Sequence, residues 1–129
     1  MSEKRKYLVC RHCGNVVEIL HDSGVPVVCC GEAMQELVPN TVDAAQEKHV
    51  PVANKQGDKV EVQVGSVPHP MLPEHYIGWI WLQTKQGGQR KILAAGEEPK
   101  AEFVLASGDS ATAVYAWCNL HGLWKKEII

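Results

Sequence analysis

Hydrophobic and polar positions alternate through most of the second half of the chain. In "KVEVQVG" (59–65), Val60, Val62 and Val64 are interleaved with Lys59, Glu61 and Gln63, the period-two signature of a strand with one buried face. "YIGWIWLQT" (76–84), "QRKILAA" (89–95), "AEFVLAS" (101–107), "ATAVYAWC" (111–118) and "LWKKEII" (123–129) continue the series. Gly87-Gly88 reads as a hairpin turn and Gly108-Asp109 as a second break. Six or seven short strands, turning about every eight to twelve residues, predict an all-β sandwich. Trp79, Trp81 and Trp117 fall within these strands and are expected in its core. One segment departs from the pattern: "TVDAAQEKHV" (41–50) suits a single helical turn, capped by Thr41 or Asp43.

The first forty residues are built differently. Short apolar runs, "KYLVC" (6–10), "NVVEIL" (15–20) and "VPVVCC" (25–30), are separated by knuckles and by a turn at Asp22-Ser23-Gly24. So short a piece cannot bury enough apolar surface to stand without a staple. It holds four of the five cysteines, whereas four of the six histidines lie beyond it. That asymmetry places a boundary near Pro39–Asn40, dividing the chain into domains 1–39 and 40–129. The class is mainly β, a small metal-stapled domain followed by a sandwich.

Composition narrows the function. With 45% hydrophobic and 22% charged residues the chain is globular. A net charge of −2, without a basic excess in either segment, excludes the electrostatic footprint of a nucleic-acid binder. No apolar run approaches a membrane span, and "MSEKRKYLVC" lacks a signal-peptide core. A cytoplasmic protein is expected. There disulfides are rare and grouped cysteines point to metal.

Cys10-x-x-Cys13 and the adjacent pair Cys29-Cys30 each precede a glycine, in "CRHCG" and "CCG". Four thiolates suit tetrahedral zinc or iron. The first three follow zinc-ribbon spacing; the adjacent pair does not. His12 and His21 are expected to face solvent. In the second segment, His49, the proline-framed His69 and His75 of "VPHPMLPEHY", and the Cys118-x-x-His121 of "AWCNLHGLW" suggest a shared site. Nitrogen donors with one thiolate suit zinc, copper or iron. A blue-copper site would need a methionine after the histidine, and none follows Met71. A Cys118–His121 hydrolase would have only Asn119 as an orienting group and would leave three histidines idle.

"CRHCG…CCG" resembles the desulforedoxin-type iron domain. "EKHVP" (47–51), "HPMLPEHY" (69–76) and "CNLHGLW" (118–124) resemble the neelaredoxin-type domain. Together, over essentially the whole chain, they resemble the desulfoferrodoxin family of two-iron superoxide reductases. The resemblance implies a tetrahedral iron on Cys10, Cys13, Cys29 and Cys30, and an immunoglobulin-like sandwich holding a second iron. His49, His69, His75 and His121 would surround that iron in a plane, with Cys118 as the axial ligand and the opposite position open. It further implies one-electron reduction of superoxide to hydrogen peroxide, a rubredoxin-like donor and a homodimer. Lys48 would attract the anion and Glu47 would close the ferric site. The competing reading is a non-catalytic electron carrier using the same two sites.

Overall fold

The computed structural model describes residues 5–128. Contacts divide it into two compact units, Glu3–Val38 and Pro39–Ile129. The smaller unit holds β1 (Tyr7–Val9), β2 (Val16–Glu18), β3 (Val28–Cys29), β4 (Glu32–Ala33) and β5 (Gln35–Leu37). An antiparallel sheet in the order β2-β1-β5 buries Tyr7, Leu8, Val9 and Leu37, and β3-β4 forms a separate hairpin. The run "VPVVCC" is strand only at Val28–Cys29, and Val25 and Val28 both lie exposed. In the Asp22–Gly24 turn, Gly24 N–H donates to Asp22 Oδ1 at 2.8 Å.

The larger unit opens with a short helical turn, α1 (Gln46–His49), followed by β6 (Pro51–Gln56), β7 (Lys59–Val64), β8 (Ile77–Thr84), β9 (Gly87–Ile92), β10 (Lys100–Val104), β11 (Ala111–Cys118) and β12 (Gly122–Glu127). They form two antiparallel sheets, β10-β7-β6 and β12-β11-β8-β9, giving the seven-stranded sandwich. Val60, Val62, Val64 and Phe103 from the first sheet pack against Ile80, Leu82, Val114 and Ala116 from the second. Cys118 closes one end of this core.

Four expectations are corrected. β6 was not foreseen because "PVANKQ" carries no apolar alternation; it pairs on one side only, and polar residues with a leading proline are typical of such an edge. Gly87 and Gly88 begin β9 rather than turning the chain, and the turn is Lys85-Gln86. That turn is held from outside, by Lys85 N–H to Ser110 O and Gln86 N–H to Asp109 Oδ1. Glycine is needed at 88 because a Cβ there would lie 2.4 Å from the Trp81 ring. Trp79, Trp81 and Trp117 alternate with the core-facing Ile80, Leu82 and Ala116 and so lie on the outer face of the four-stranded sheet, where Trp79 is buried as expected and the other two are half-buried. Arg90 covers Trp79 and Trp81 there, 4.5 and 4.8 Å from their ring centres. Finally, Ala45 occupies the N-cap of α1 with no side-chain cap, so neither Thr41 nor Asp43 serves. Backbone bonds from Val67 N–H and the Ser66 hydroxyl to Glu47 O seat the turn instead. Gly65 allows this approach, since a Cβ there would come within 2.5 Å of Glu47 O.

Candidate metal centres

The four sulfurs of Cys10, Cys13, Cys29 and Cys30 lie within 4.8 Å of one another, and all five cysteines are free. Neighbouring residues on a strand point to opposite sides, so the pair Cys29-Cys30 must break its strand to share a centre. It does: Cys30 takes φ 53° and Gly31 φ 75°, the left-handed region in which a non-glycine residue is strained. The first knuckle turns likewise at Gly14, φ 83°, with Gly14 N–H bonded to Cys10 O. Cys13 and Cys29 sulfurs are 3.7 Å apart, matching the edge of about 3.8 Å that a tetrahedron with metal–sulfur bonds of about 2.3 Å would have. Backbone N–H groups, chiefly that of Cys13, hold the Cys10 thiol down at about 6. The sulfurs of Cys13, Cys10 and Cys29 then push Cys30 up to about 12. Four thiols so placed resist sharing negative charge unless a cation joins them, and the donor set fits a tetrahedral iron. His12 and His21 are exposed, His12 beside Glu32 at 2.5 Å.

The second cluster draws on three places in the sandwich. The α1 turn supplies His49, which ends there because Val50 precedes Pro51 and extends. The loop between β7 and β8 supplies His69 and His75, the end of β11 supplies Cys118, and the turn into β12 supplies His121. The imidazoles form a square. Ring centres of His49–His69, His69–His75, His75–His121 and His121–His49 are 4.6, 4.6, 5.0 and 4.9 Å apart, each pair edge to face, and the His49–His75 diagonal is 6.2 Å. His49 Nε2 lies 3.1 Å from His121 Nδ1 and 3.2 Å from His69 Nε2. Two ligands at right angles, each about 2.1 Å from one metal, would be about 3 Å apart. Donors of His49, His75, Cys118 and His121 fall within 4.8 Å of one another, and His69 completes the square beyond that set. Buried His75 Nε2 has no hydrogen-bond partner, as expected of a nitrogen reserved for a metal. These residues fit an iron with four nitrogen donors and one sulfur.

Burial grades across the cluster. Cys118, His69 and His49 are 1–3% exposed, whereas His75 and His121 are half-buried. The sulfur therefore comes from the core side. Burial pushes the Cys118 thiol up, against the pull of the His121 and Leu120 backbone N–H groups. Burial also lowers His49 and His75 and takes His69 down to about 4. His49 Nδ1 donates to Ala45 O at 2.7 Å and His69 Nδ1 to Pro70 O at 2.6 Å, which turns each Nε2 toward the centre. Trp124 stacks on His49 with ring centres 4.9 Å apart. At pH 8 His49, His69 and His75 are already neutral while Cys118 keeps its proton. Loading metal-free protein with ferrous iron should therefore release one proton more from wild type than from Cys118→Ala. Calorimetric titration in buffers of different ionisation enthalpy measures the difference.

Lys48 and Glu47 are both exposed. The Lys48 charge reaches the cluster, where it lowers His49 and His75. The Glu47 carboxylate is outside the donor group; its backbone carbonyl is what anchors the turn.

Comparison with known proteins covers both units. The family model described as desulfoferrodoxin matches residues 41–127, and the one described as desulfoferrodoxin, N-terminal domain, matches residues 2–37. A desulfoferrodoxin from Syntrophotalea carbinolica is 48% identical over 98% of this chain and 99% of its own. One from Nitratidesulfovibrio vulgaris is 47% identical over 98% and 99%. The crystal structure of the superoxide reductase from Treponema pallidum superposes with a TM-score of 0.82 at 38% identity, over 97% of this chain and all of that one.

Proposed function

The chain belongs to the desulfoferrodoxin family, and from that premise we propose that it works as a superoxide reductase, converting superoxide, one electron and two protons to hydrogen peroxide. The observation that carries the reading is the square of four imidazoles closed from the core side by the Cys118 sulfur. We assign Cys10, Cys13, Cys29 and Cys30 to one iron, and His49, His69, His75, His121 and Cys118 to the other. Domain 1–39 carries the first and domain 40–129 the second.

An iron held by His49, His69, His75, His121 and Cys118 would supply the electron and Lewis-acid binding of a small anion. The residues supply the rest. His49 and His69 present fixed nitrogens that need no reorganisation. Trp124 and the sandwich core keep water from the sulfur side. Lys48, one residue from His49, draws the anion in by a field that salt screens, and its ammonium orders a water that donates the proton. Glu47, exposed two residues before His49, would offer its carboxylate as a further oxygen donor to the oxidised iron.

A rubredoxin-like protein as electron donor, a homodimeric state and a cytoplasmic setting complete the reading. It is supported by the family resemblance. Pulse radiolysis of the reduced protein tests it. Each superoxide consumed should yield one peroxide and no dioxygen; release of one dioxygen per two superoxides would mean dismutation instead. In the same experiment Lys48→Ala should slow the bimolecular step and flatten its dependence on ionic strength. An unchanged salt slope removes Lys48 from the mechanism.

A further inference from the structure

The histidines of the second centre are not all held in the same way. His49 and His69 are each tied by Nδ1 to a backbone carbonyl. His75 has no such tie: among the described residues its Nε2 is buried without a partner, and its only hydrogen bonds are backbone ones to Leu72. A ring without its own anchor must be aimed by the backbone on either side of it. Both flanks of His75 are gripped by one residue. Asn119 Oδ1 accepts from Tyr76 N–H at 2.8 Å, and Asn119 Nδ2 donates to Glu74 O at 3.0 Å. Asn119 N–H also donates to Tyr76 O at 3.2 Å.

Asn119 lies between Cys118 and His121, so these three bonds join the turn bearing the thiolate to the loop bearing His75. A carboxamide of this length offers an acceptor and a donor to two peptide groups at once. An aspartate keeps the acceptor but sets an oxygen against Glu74 O, and an alanine keeps only the backbone bond. We propose that Asn119 is a positioning residue for the iron centre, a clamp that fixes His75 relative to Cys118 and thereby sets how tightly the centre holds iron.

The inference rests on the assignment of His75 as a ligand, and the test separates the two. Iron loss to a competing chelator, and the visible absorption of the oxidised centre, are measured for wild type, Asn119→Ala, Asn119→Asp, His75→Ala and the double variant. Asn119→Ala should lose iron about 10–100-fold more readily, the range for loss of a residue that orients a ligand, with a shifted absorption band. Asn119→Asp should be affected as well, although it keeps one bond. In the His75→Ala background Asn119→Ala should add little, because the group it positions is gone. Wild-type retention and spectrum in Asn119→Ala, or full additivity in the double variant, overturns the clamp. Wild-type iron retention in His75→Ala overturns the ligand assignment, and the clamp with it. If Asn119→Ala does not fold, Asn119→Asp carries the same comparison.

Discussion

Cys118→Ala should remove the thiolate-to-iron absorption of the oxidised protein and slow the reaction with superoxide by more than the 10–100-fold typical of losing an outer supporting group. The sulfur sits at the end of β11 with 1% exposure, within the apolar cluster of the sandwich. A buried cysteine in such a place has an ordinary use as a small hydrophobe, and packing alone predicts a different result. Removing one sulfur from a core leaves a small cavity costing on the order of 1 kcal/mol, with iron and kinetics untouched. Three features argue for the ligand. Its sulfur shares a 4.8 Å group with three imidazoles. Burial keeps the free thiol protonated, which is unfavourable for a group facing a cation unless that cation is there to displace the proton. The backbone N–H groups of His121 and Leu120 pull the thiol down against that burial, an electrostatic provision for negative charge. Thiolate donation to iron raises electron density at the opposite position. Its loss should therefore appear in rate and potential as well as in colour. Stopped-flow kinetics of Cys118→Ala with iron bound, compared with its melting temperature, separates the two roles.

The sandwich was legible in the chain because its alternation is strong. Val60, Val62 and Val64 face inward as their spacing requires, and β11 spans Ala111–Cys118, the whole of its apolar run. Where hydrophobicity is not the deciding force, pattern reading failed. β6 is set by pairing with β7, and the Lys85-Gln86 turn by hydrogen bonds it donates to Asp109 and Ser110, neither visible in local composition. The tryptophans misled for a related reason: a large aromatic is taken for core, yet here Arg90 covers two of them on the outer face. In the sites, residue type was legible and aim was not. Cys29-Cys30 could be read as donors, but the left-handed turn at Cys30 that brings both to one centre is a backbone event. Asn119 was noticed only as a poor partner for a hydrolase. Its bonds reach Glu74 and Tyr76, more than forty positions away in sequence, and no spacing rule links them.

Removing the metal from the tetracysteine centre should unfold residues 5–38 while the sandwich stays intact and reactive. The buried side chains of the small unit are few: Tyr7, Leu8, Val9, Cys10 and Leu37. Against them, Leu20 is 85% exposed, Val25 72% and Val28 63%, so most of its apolar surface contributes nothing to folding. A core of this size does not offset the backbone entropy of ordering such a chain. A structural metal adds roughly 10–16 kcal/mol of binding free energy in small metal-folded peptides, which is enough to decide the balance. Cys13→Ala is the informative variant. Cys13 is exposed, so its side chain contributes little packing and its loss acts through the metal. Amide resonances of Leu8 and Val9 should collapse toward random-coil positions in Cys13→Ala, while those of Val62 and Val114 hold. Superoxide should still be reduced at the other centre, whose ligands all belong to Pro39–Ile129. Native dispersion at Leu8 and Val9 without metal would show that the small sheet folds by itself, and the centre would then be kept for its electrons alone.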